Sequence, residues 1–142
     1  MKKLYVLIAL LLIVFSVEAQ KVEKFKAKKV ADEFCSCTKS FEQGMPASIK
    51  TMFMEYVSLG EEKAMENFMQ AMMAMSETEQ KSILEYLQGD TFKKHTEDFK
   101  NCIDTLKTKY GVLDEDKKKA LQSALAKMKD CQFATELVKS IK

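Results

Sequence analysis

The chain has 142 residues, and its 23 basic side chains nearly balance 21 acidic ones, giving a formal net charge of +2. That balance offers no basic patch for nucleic acid or for an anionic membrane surface. Every basic residue is Lys, and without the planar fork of Arg, bidentate recognition of phosphate or of a guanine edge is disfavoured.

Residues 1–19 read as a cleavable secretory signal. Lys2 and Lys3 precede a continuous apolar run over residues 4–14, and Val17 and Ala19 occupy the −3 and −1 positions of a cleavage site. The run falls short of the ~20 apolar residues of a membrane span, and no second run of that length follows. The expectation is a secreted or periplasmic protein with no stable membrane anchor after cleavage. Residues 20–142 then form a single helical domain, long enough for one modest core.

Four Gly and one Pro fall between periodic segments. No stretch alternates β-branched and polar residues as a strand would. The expected fold class is all-α, a compact array of five or six helices. The first helix spans about 22–43, with Ala27, Val30, Ala31, Phe34, Thr38 and Phe41 on one face at three- and four-residue spacing. Lys24, Lys26, Lys28 and Lys29 lie mostly on the other side, and Gly44 and Pro46 end the helix.

This helix carries Cys35-Ser36-Cys37. Two residues correspond to about 200° around a helix axis, so the two thiols cannot face the same neighbour. Cys37 falls at the edge of the apolar face and Cys35 on the opposite flank, which makes Cys35 the more exposed of the two. Cys102 and Cys131 are the only other cysteines. In an exported chain, four cysteines most simply form two disulfides. A four-thiolate zinc site is disfavoured because the late cysteines lack C-x2-C spacing. A redox-active dithiol is disfavoured because such pairs sit at helix N-termini, where the dipole lowers a thiol pKa. A bond between Cys35 and Cys37 would unwind the helix. The two remaining pairings are Cys35–Cys102 with Cys37–Cys131, and Cys35–Cys131 with Cys37–Cys102; spacing does not choose between them. Either staples the first helix to the last two, and the chain-entropy model assigns such a bridge about 4 kcal/mol.

The second helix spans about 47–59, with Ile49, Met52, Phe53, Tyr56 and Leu59 as its stripe. Gly60 ends it. Glu61 and Glu62 then suit the dipole at the start of a third helix reaching to about Met75. There Ala64, Met65, Phe68, Met69, Met72 and Met73 share a face, opposite Glu66, Asn67 and Gln70. Methionine fills irregular core gaps, and it also repacks around varied partners. Met52, Met65, Phe68, Met69, Met72 and Met73 are therefore the candidate surface or cavity for an unknown protein or an apolar small molecule. The alternative is a copper site at Met69, Met72 and Met75, because thioethers select Cu(I); no His or Cys lies within the cluster.

Ser76-Glu77-Thr78-Glu79 is a capping box that starts a fourth helix over about 77–87. Gly89 ends it, and Asp90 or Thr91 is placed to cap the fifth, over about 92–110. That helix carries Phe92, Phe99, Cys102, Ile103, Leu106 and Tyr110. His95, the sole histidine, reads as an ordinary, partly exposed side chain flanking the disulfide at Cys102. Asp114 caps a sixth helix over about 115–141, with Leu121, Ala124, Leu125, Met128, Cys131 and Val138 in line. Nucleotide, Walker, zinc-protease, nucleophile-elbow, haem and EF-hand signatures are all missing. The expectation is a non-enzymatic exported binding module without a cofactor and without a nucleic-acid partner.

Overall fold

A computed structural model describes residues 24–140, in which seven α-helices and no strand are found among the described residues. They are α1 (Ala27–Glu42), α2 (Ala47–Leu59), α3 (Glu61–Ala74), α4 (Glu77–Gln88), α5 (Asp90–Tyr110), α6 (Glu115–Leu125) and α7 (Gln132–Ser140). The expected secretory signal over residues 1–19 lies outside the described residues.

Helix ends follow local chemistry. At the start of α4, the Glu79 N–H donates to Ser76 Oγ at 3.4 Å, and the Ser76 N–H donates to Glu79 Oε2 at 2.9 Å. This reciprocal pair satisfies two backbone donors that a helix start otherwise leaves open. Asp114 Oδ1 accepts from the Lys117 N–H at 2.8 Å and caps α6. One residue, Gly60, joins α2 to α3 at φ +89°, a conformation that penalises any side chain. The start of α5 differs from expectation. Gly89 is the N-cap without a side-chain bond, and Asp90 is the first helical residue, accepting from Lys93 Nζ at 3.1 Å.

A larger difference lies near the C-terminus. The sixth helix expected over 115–141 is two helices, separated by a turn whose i→i+3 bonds are donated by Lys127, Met128 and Cys131. The reason is the phase of the apolar residues. Leu121 and Leu125 are the buried residues of α6; Phe133, Ala134, Leu137 and Val138 are those of α7. At about 100° per residue, one straight helix would set these two groups roughly half a turn apart. A turn between them lets both face the core.

The centre of the molecule is α1. It packs along α5 and α6 and also touches α7. In turn α2 packs against both α3 and α7, and α4 packs against α5. Phe41 of α1 gathers rings from three other helices: its centroid is 4.7 Å from Phe99 of α5, 6.1 Å from Phe133 of α7, and 5.3 Å edge-on from Phe53 of α2. Such aromatic pairs add to the area they bury.

The disulfides are Cys35–Cys131 and Cys37–Cys102, with Cα separations of 5.4 and 5.8 Å. They staple α1 to the residue that leads into α7 and to α5. The half-turn divergence of the two thiols is realised, but its expected consequence for exposure is not. Cys35 and Cys37 are 3% and 2% exposed, because helices cover both flanks of α1. Two disulfides are consistent with folding in an oxidising compartment. No described helix is long and apolar enough to cross a membrane.

Candidate functional site

The groups with obvious chemical potential are engaged within the fold. All four cysteines are in disulfides. His95 Nδ1 lies 3.3 Å from the Tyr86 hydroxyl, so the structure pairs it with α4. Burial pushes the Tyr86 phenol up. Glu33 of α1 is held by α5: Lys109 Nζ donates to its two oxygens at 2.8 and 3.1 Å, and the Tyr110 O–H donates to Oε1 at 2.9 Å. The Lys109 hydrogen bond holds the Glu33 carboxyl below the usual carboxylate range, and the same bond pushes Lys109 up to about 12. No buried side-chain nitrogen or oxygen among the described residues lacks a hydrogen-bond partner.

The methionine-rich helix is different. Its inner face is built from Ala64 and Phe68, both buried, and α3 packs on α2 through it. Met52 of α2 is also in the core. Met65, Met72 and Met75 are partly buried and pack against that core. Met69 and Met73 point outward, at 48% and 72% exposure. The six residues expected to form one surface are thus divided: Met52 and Phe68 inside, Met65 and Met72 at the margin, Met69 and Met73 in solvent. The thioethers of Met69, Met72 and Met75 are divided likewise between solvent and the core margin. Among the described residues, no group of three or more His, Cys, Asp or Glu is placed to hold a metal.

An open groove beside the outward face is lined by Glu61, Glu62, Met65, Glu66 and Met69. Helical geometry explains the mixture. Counting about 100° per residue, Met69 and Met73 fall on the same side of α3 as Glu62 and Glu66, roughly opposite Ala64 and Ala71. Lys63 bonds Glu66 at 2.7 Å; among the described residues, Glu61 and Glu62 have no cation partner within ion-pair distance. Burial first, and then the Glu61 charge, raises the Tyr56 phenol across the α2–α3 junction.

Sequence reasoning marked the methionines and missed the charge around them. Residues 51–92 hold eight carboxylates and only two lysines, Lys63 and Lys81, within a chain of net charge +2. Among the described residues, the four large apolar side chains that are exposed, Leu59, Met69, Met73 and Leu84, belong to the same stretch. A charge count by segment would have found it.

No family model, no curated protein and no solved structure matches this chain. The fold and the site together define a small all-α protein, stapled by two disulfides around its first helix, with one apolar and acidic helix face turned to solvent.

Proposed function

We propose that this is a non-enzymatic exported binding module that uses the outward face of α3 to hold a protein partner or an apolar molecule. The observation that carries the reading is the exposure of Met69 and Met73 on a helix anchored to the core through Ala64 and Phe68. Unbranched, polarizable side chains at such positions adapt to varied apolar surfaces. The non-enzymatic reading is supported by how the candidate bases and nucleophiles are used. His95 is engaged by Tyr86, Glu33 by Lys109 and Tyr110, and every cysteine by another cysteine. Export is supported by the two disulfides and by the leader-like pattern of residues 1–19.

Fluorescence titration with the neutral apolar dye N-phenyl-1-naphthylamine tests the reading. The expected result is saturable enhancement that falls severalfold in Met69→Gln/Met73→Gln, with the circular dichroism spectrum unchanged. Enhancement that is absent, or equal in the variant, would overturn it.

A further inference from the structure

We infer that the partner of the α3 face is a cationic amphipathic helix, with Lys or Arg flanking an apolar stripe. This rests on the reading of that face as a docking surface and adds the chemistry of the occupant.

The argument is charge complementarity. Two of the three glutamates lining the groove, Glu61 and Glu62, lack a cation partner among the described residues. Their place in the first turn suits the helix dipole, but that does not account for the excess of acids along residues 51–92. Two exposed apolar side chains, Met69 and Met73, lie on α3 itself, and Met69 lines the groove with these glutamates. Large apolar groups and unpaired carboxylates side by side select a ligand that is apolar and positive together.

Other occupants fit less well. An anionic lipid surface or a nucleic acid meets like charge. The same face on a second copy carries the same acids, so a symmetric dimer through it sets carboxylate against carboxylate. The shape suits a helix: α3 offers about 21 Å of length, roughly four turns, and Met69 and Met73 are spaced as one stripe.

Calorimetric titration of the intact disulfide-bonded protein with two synthetic helical peptides tests the proposal. Both peptides carry the same leucine stripe, one flanked by lysines and one by glutamates. The lysine peptide is expected to bind at least about tenfold more tightly, with affinity falling as salt rises. Glu61→Gln/Glu62→Gln should weaken it about fivefold and flatten the salt dependence. Met69→Gln/Met73→Gln should weaken it about tenfold. Thermal melts of each variant separate lost binding from lost folding. Equal binding of the two peptides, both abolished by the methionine variant, would overturn the cationic partner while leaving the docking surface standing. No binding by either peptide, together with no dye enhancement, would overturn both. Binding indifferent to all four substitutions would place the site elsewhere and overturn the proposal. So would concentration-dependent dimerisation that is lost in the methionine variant, since the occupant would then be a second copy.

Discussion

Glu33 ties α1 to α5 through three hydrogen bonds, and its charge state decides whether they persist. Its folded pKa is depressed, so its contribution is present above the ordinary carboxylate value of 4.5 and is lost as pH falls through the folded value. Lys109 is raised from 10.5 to about 12; its contribution is complete below 10.5 and is lost as pH rises through about 12. Between these limits the clamp is intact. Glu33→Gln should lower the melting temperature by a few degrees at pH 7, and the difference from wild type should be smaller at pH 3. Melts at the two pH values check this. At the aromatic hub, Phe41→Ala should cost about 3–5 kcal/mol in a urea titration, because three rings lose their shared neighbour. Exposure also ranks the methionines. Under limiting peroxide, Met73 at 72% exposure should become sulfoxide well before the buried Met45 and Met52, which peptide mass mapping reads directly.

At the scale of the helix, what was legible was what is written locally. The Ser76–Glu79 box, the Asp114 cap and Gly60 each set an end where a short motif satisfies backbone donors or allows a positive φ. Ser76→Ala should cost about 1 kcal/mol, seen as a lower urea midpoint at an unchanged slope. The break between α6 and α7 was not legible by the same means, since residues 126–131 contain neither Gly nor Pro. The information lay in the phase of Phe133, Ala134 and Leu137, which do not share a face with Leu121 and Leu125. Following Met128, Cys131 and Val138 alone hid that conflict. Exposure of Cys35 was misjudged for a related reason. A helical wheel gives the direction of a side chain but not whether another helix lies there.

Across the whole molecule, the disulfides set which helices surround α1. The pairing Cys35–Cys131 with Cys37–Cys102 was one of two that spacing left open, because it depends on which flank α5 and α7 occupy. Removing the second bridge as Cys37→Ala/Cys102→Ala should cost about 2–5 kcal/mol, measured by urea unfolding under non-reducing conditions. The outward face of α3 was half legible. Methionine content marked α3, but its division into inner and outer residues needed the packing of α3 on α2. The acidic bias of residues 51–92 disappeared in a chain total close to neutral. The most direct measurement of the central claim is the methyl spectrum of protein labelled with ¹³C at the methionine methyl groups, titrated with N-phenyl-1-naphthylamine. If the outward face of α3 is the docking surface, the Met69 and Met73 methyls shift progressively while those of Met45 and Met52 stay fixed. Static Met69 and Met73 signals under saturating dye, or shifts confined to the core methyls, would contradict it.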